Sequence, residues 1–127
     1  MLWKAIERAK LHNSGGRVSV YAYCLDKRGR VISHAGNSYV KSNTVQKRIS
    51  EKLGFPEKCF LHAELNAILR ARGAVISTLV IARVDKHGNV KDGKPCNICC
   101  AYIKLQEEIQ GSKIDVIYSK EKVDGTT

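Results

Sequence analysis

The chain has 127 residues, of which 43% are hydrophobic and two are proline, enough for one domain with a single core (residues 1–127) and too little for two. Lys and Arg number 22 against 12 Asp and Glu. The resulting charge of +10 points to an anionic partner, either a phosphate-bearing small molecule or a nucleic acid, and serves equally well as a solvated surface. The cysteines are odd in number, and Cys96, Cys99 and Cys100 crowd into one segment, which suits metal better than a disulfide scaffold. Charge interrupts the N-terminus too often for a secretory signal, and no segment has the length of a membrane span. The expectation is a cytoplasmic protein with reduced thiols and no membrane contact.

In chain order, Leu2, Ile6 and Ala9 recur at helical spacing among Lys4, Glu7, Arg8 and Lys10, predicting an amphipathic helix over 2–12 that stops at Asn13-Ser14-Gly15-Gly16. Val18 to Leu25 is β-branched and aromatic, Asp26 to Arg30 turns, and Val31 to Ser33 resumes, the pattern of a hairpin. A basic stretch then spaces Val45, Ile49 and Leu53 four apart before Gly54 and Pro56, predicting a small inserted helix with Lys41, Lys47, Arg48 and Lys52 on or beside it. From His62 to Arg72, Leu65, Ile68 and Leu69 alternate with Ala63, Ala67 and Ala71, giving a helix able to lie close against a sheet. Ile76 to Val84 reads as a buried strand, Asp85 to Asn89 as a turn, Cys96 to Ile109 as a helix ended by Gly111, and Ile114 to Ser119 as a further strand. The tail from Lys120 to Thr127 is expected to be loose, or a short edge strand at most. This order predicts an α/β fold, a three-layer α/β/α sandwich with a mixed sheet of four or five strands.

The chemistry concentrates in His62-Ala63-Glu64 and Pro95-Cys96-Asn97-Ile98-Cys99. Cys96 and Cys99, three apart at a helix start, bring two sulfurs to one side of its first turn, where the helix dipole favours thiolate. His62 opens the other helix, so two helix N-termini can converge on one zinc ion. Three protein ligands leave the fourth position of a Zn2+ tetrahedron to water, the arrangement of a hydrolytic site rather than of a structural one. Glu64, two residues beyond His62, can move a proton without competing for the metal. Cys100, four residues from Cys96, could reach the same face, but the pair three apart has the usual metal-binding spacing. Cys24 and Cys59 read as core residues, and His12, His34 and His87 as surface or loop residues, with His34 near enough to Asn37 in sequence to line a pocket.

These residues resemble the cytidine and deoxycytidylate deaminase superfamily, zinc-dependent enzymes that hydrolyse the amino group from cytosine or adenine rings. The resemblance rests on the two motifs and on element order along most of the chain. It implies that His62, Cys96 and Cys99 hold zinc, that Glu64 is the catalytic proton shuttle, that Ala63 offers a backbone amide to the base, and that the Lys94 carbonyl meets the departing amine. Asn37, after Gly36, resembles the family's substrate-contacting asparagine, against the alternative of an ordinary turn residue. Asn66, in His62-Ala63-Glu64-Leu65-Asn66, is closer in pattern to deoxycytidylate deaminases than to tRNA adenosine deaminases. Three departures stand out: the insertion from Asp85 to Lys94, the basic insertion between Asn37 and His62, and the lack of a final helix after Ser119.

The implied activity is hydrolytic deamination of a (deoxy)cytidine nucleotide such as deoxycytidylate, with Lys41, Lys47, Arg48 or Lys52 as phosphate contacts. Two rivals stand beside it. One is a deaminase of bases in nucleic acid, acting on tRNA adenosine or polynucleotide cytosine; the other is a non-catalytic, zinc-stabilised module that binds nucleic acid through a basic face. The superfamily commonly associates, so a homo-oligomer is expected without a number of subunits.

Overall fold

The computed structural model describes residues 1–12, 17–38, 44–54 and 62–121. The expected N-terminal helix is α1 (Leu2–His12), and β1 (Ser19–Leu25) and β2 (Val31–Gly36) form the expected antiparallel hairpin. Its turn is closed by Asp26, whose Oδ1 accepts the backbone N–H groups of Arg28 and Arg30, each at 2.9 Å. The basic helix is α2 (Thr44–Lys52), and the helix carrying the first motif is α3 (Ala63–Arg70). β3 (Thr78–Val84) lies antiparallel to β1, from Ser19 opposite Val84 to Leu25 opposite Thr78. A two-residue strand, β4 (Val90–Lys91), turns back on β3 before α4 (Asn97–Gln110) crosses over to β5 (Asp115–Tyr118), which runs parallel to β3.

The five strands are ordered β2-β1-β3, with β4 and β5 sharing the far edge of β3 at different heights. β3 is buried on both faces, which is why its sequence is a continuous apolar run rather than an alternation. On one face, Ala22, Cys24, Leu79 and Ile81 pack against Ala67 and Ile68 of α3, Ala71 at its C-cap, and Ile103 of α4. Tyr21, Tyr23, Val80, Ala82 and Val84 cover the other face with Ala5 and Ala9 of α1. The small alanines on both sides let helix backbones approach the sheet closely, and the three α/β/α layers follow. Cys24 is fully buried in this core, and burial pushes its thiol up to about 11. Cys59, Pro56, the Asn13 to Gly16 stop and the tail beyond Glu121 lie outside the described residues.

β4 has no counterpart among the sequence expectations, which read only a turn and an inserted loop there. Two residues among Lys, Asp and Gly show no periodicity, and their pairing depends on a distant side chain. Ser119, 1% exposed, accepts the Arg83 N–H at Oγ (3.0 Å) and donates that hydroxyl to the Lys91 carbonyl (2.8 Å), joining β3, β4 and the end of β5. Its backbone carbonyl takes the Gly93 N–H at 2.8 Å. A Cβ at Gly93 would lie 2.9 Å from Ser119 Oγ and 3.1 Å from the Ile81 carbonyl, so only glycine fits this approach to Pro95.

Among the described residues, no helix is long and apolar enough to cross a membrane.

Candidate metal centre

His62 and Cys96 occupy equivalent places in the fold: each is the N-cap of its helix, with extended backbone at φ −80°, ψ 150° and φ −73°, ψ 174° respectively. An N-cap residue directs its side chain across the helix mouth, and here neither side chain caps its own helix. Both are thereby available to a shared ligand. Cys99, 1% exposed, comes from the first turn of α4. His62 Nδ1 lies 3.4 Å from Cys96 Sγ and 3.4 Å from Cys99 Sγ, and the three ligand atoms fall within 4.8 Å of one another.

Tetrahedral zinc, with bonds of about 2.0–2.1 Å to nitrogen and about 2.3 Å to sulfur, sets N···S near about 3.6 Å and S···S near about 3.8 Å. The observed spacing and the soft, borderline donor set therefore fit Zn2+ with little adjustment. Cys100 does not join the cluster; its Sγ instead lies 3.5 Å from the Pro95 carbonyl, to which it donates. Glu64 likewise stands outside the ligand group.

The electrostatics of the cluster favour a cation. A hydrogen bond from Cys99, with a further one from His62, lowers Cys96 to about 3, which favours the thiolate, the form that coordinates metal. Donation to Cys96 and burial hold the Cys99 thiol well above the usual range. Glu64 is 6% exposed, and loss of solvent raises its carboxyl above the ordinary range. A buried carboxyl that holds its proton more tightly than usual, beside a candidate metal-ligand cluster, is suited to taking up and returning protons.

Two carboxamides support the site: Gln46, which was not singled out in the sequence, and Asn66, which was noted there only for its place in the first motif. Gln46, on α2 and fully buried, accepts the His62 backbone N–H at Oε1 (2.8 Å). No local pattern marks this role, because a single Gln on a polar helix reads as a surface residue. Asn66 donates from Nδ2 to the Gly36 carbonyl (3.2 Å) and receives Arg70 Nε at Oδ1 (3.2 Å), so it joins α3 to the end of β2.

Asn37 follows β2 directly. Its Oδ1 accepts the Val20 N–H (3.0 Å), and its Nδ2 donates to the Val18 carbonyl (3.3 Å). One amide N–H and one Oδ1 lone pair are left over by this pairing. Ala63 is the first residue of α3, where backbone N–H groups have no partner within the helix. Lys94 is exposed, and its N–H is taken by Asp92 Oδ1 at 2.9 Å. Lys47, Arg48 and Lys52 are exposed on α2, and Lys41 lies outside the described residues. His34 is on the α1 side of the sheet, away from the candidate metal cluster: the Tyr21 hydroxyl accepts from Arg8 Nη2 (2.9 Å) and is hydrogen-bonded to His34 Nδ1 (2.6 Å). His87 is exposed in the turn before β4.

Three layers around a mixed sheet, with an imidazole and two thiols at the mouths of two helices, define the class of fold. That fold is the cytidine deaminase fold. A crystal structure of a mutant cytidine deaminase from Mycobacterium tuberculosis matches this chain with a TM-score of 0.50 at 23% sequence identity, covering 95% of this chain and 84% of that one. No protein-family model matches the sequence, and no curated protein matches it at a significant level.

Proposed function

We propose that this chain is a zinc-dependent hydrolytic deaminase acting on a nucleobase, with cytosine in a (deoxy)cytidine nucleotide such as deoxycytidylate as its substrate and the uracil compound and ammonia as products. The observation that carries this reading is the convergence of His62, Cys96 and Cys99 on a single point, with the buried, non-ligating Glu64 two residues from the imidazole. The name of the Mycobacterium tuberculosis protein that shares the fold, a cytidine deaminase, supports the same reaction class.

His62, Cys96 and Cys99 would hold the metal, which when bound supplies the Lewis acidity that lets water act as a nucleophile near neutral pH. The remaining work falls to side chains of this chain. Glu64 accepts the proton released by water, delivers one to the ring nitrogen and then carries a proton to the exocyclic amine, so that the C–N bond breaks with ammonia as leaving group. Its raised proton affinity matters in both directions, since a carboxyl at the ordinary value would give protons up too readily to return them. Ala63 would present a backbone N–H, Lys94 a carbonyl to the departing amine, and Asn37 its remaining amide N–H. Incubating zinc-loaded protein with cytosine and adenine nucleosides, nucleotides and oligomers, and measuring deaminated product, tests the proposal. Absence of product from every compound would favour the non-catalytic zinc module.

A base within a nucleic acid is the second reading, and one observation favours it. Arg48 and Lys52 follow Gln46 by two and six residues, about 160° and 120° around α2 from the side chain that reaches His62. Cations directed away from the site are poorly placed for the phosphate of a bound mononucleotide and well placed for a strand lying across the surface. A salt series separates the cases: affinity for a polymer engaging several phosphates falls steeply with salt, and affinity for a mononucleotide changes little.

A further inference from the structure

The corner where β2 ends is gripped from both faces of the sheet. From the α1 side, His12, the last residue of that helix, donates from Nε2 to the Asn37 carbonyl at 2.7 Å. Its ring lies flat over Gly36, so close that any side chain there would run into the imidazole. Tyr21 meets the same ring edge-on, with centroids 5.9 Å apart at 70°, and fixes its orientation. From the α3 side, Asn66 holds the Gly36 carbonyl. Asn66 is one helical turn beyond His62 on the same side of α3, and its N–H donates to the His62 carbonyl at 2.9 Å. The corner is therefore braced between α1 and the helical turn that carries the metal ligand and Glu64.

We infer that His12 is a positioning residue for substrate: by pressing on Gly36 and holding the Asn37 carbonyl, it fixes where the free amide N–H of Asn37 stands relative to the first turn of α3. This rests on the deaminase reading above. The absent Cβ at Gly36 is the independent observation, because an ordinary surface histidine at a helix end does not require a glycine opposite it. Gly36 has no positive φ to explain it, among the described residues, so the need for space is what selects glycine. The motif Gly36-Asn37 thus encodes a socket for His12 as well as a candidate substrate contact.

The test uses the zinc-loaded full chain and the best substrate from the panel, with steady-state kinetics and metal content measured on each variant. His12→Ala should raise KM about tenfold and leave kcat within about twofold, the loss of one positioning hydrogen bond. His12→Gln, which keeps an N–H donor, should recover most of that loss. Gly36→Ala evicts the imidazole while leaving His12 in the chain, so it should give the same KM increase, and the double variant should be no worse than either single one. Unchanged KM in His12→Ala, losses that multiply in the double variant, or kcat falling together with zinc content would overturn the inference. If Gly36→Ala does not fold, the Ala and Gln variants of His12 decide it. A wild-type protein that turns over no substrate sinks the deaminase reading, and the positioning role with it; a turning-over enzyme indifferent to His12 sinks the positioning role alone.

Discussion

Glu64→Gln separates the chemical role of this carboxyl from its place in the core. The substitution keeps the side chain's volume and polarity and removes only its ability to exchange a proton. General acid–base catalysis contributes about 10²–10⁴-fold, and Glu64 is assigned to more than one proton transfer, so the loss of kcat should lie near about 10⁴-fold, roughly 5.5 kcal/mol of barrier. Zinc content should not change, because Glu64 is outside the ligand cluster. Stability should move the other way in the metal-free protein. The folded-state proton affinity of Glu64 is raised above its ordinary value of 4.5, so the stability it contributes is complete below that pH and is lost as pH rises towards the folded value. The loss follows from burial, which penalises the charged carboxylate in the folded protein. The glutamine variant has no such loss. Metal-free Glu64→Gln should therefore unfold at higher denaturant than wild type at pH 7, with the gap closing towards pH 4. The assays are ammonia release and denaturant unfolding across that pH range. More than about a tenth of wild-type turnover, or a stability gap that does not depend on pH, would refute the reasoning.

Cys99→Ala should abolish stoichiometric zinc and, with it, the rise in unfolding temperature that added zinc gives the wild type, since binding to the folded state is what produces that rise; metal analysis and thermal unfolding with and without zinc check it. Cys100→Ala should keep both, because Cys100 is outside the cluster. Gln46→Leu leaves the His62 N–H without the acceptor it now has, a cost of about 1–3 kcal/mol in stability, read by denaturant unfolding. Its zinc affinity should fall as well, and Gln46→Glu, which retains an acceptor oxygen, should restore it.

The candidate metal cluster was legible in the sequence because it is written in short, rigid spacings. Cys96 and Cys99 share one side of a helical turn whatever surrounds them, and His62 precedes Glu64 at a helix start marked by the small and branched residues that follow. The apolar runs of β1 and β3 likewise state their own burial, on both faces of the sheet. What the sequence leaves open are contacts between residues far apart in the chain. β4 exists because Ser119 reaches Lys91 and Arg83, Gln46 because its carboxamide crosses to His62, and the socket at Gly36 because the end of α1 lands upon it. None of these has a local signature, since a lone Ser, Gln, His or Gly is compatible with many surroundings. By itself the sequence picked out His62, Cys96 and Cys99 as a candidate ligand set and Glu64 as a candidate proton carrier, through their spacing at two helix starts. Only the packing of α1, α2 and α3 around the sheet decided which distant polar groups hold those side chains in place, because a hydrogen bond between elements depends on where both of them come to rest.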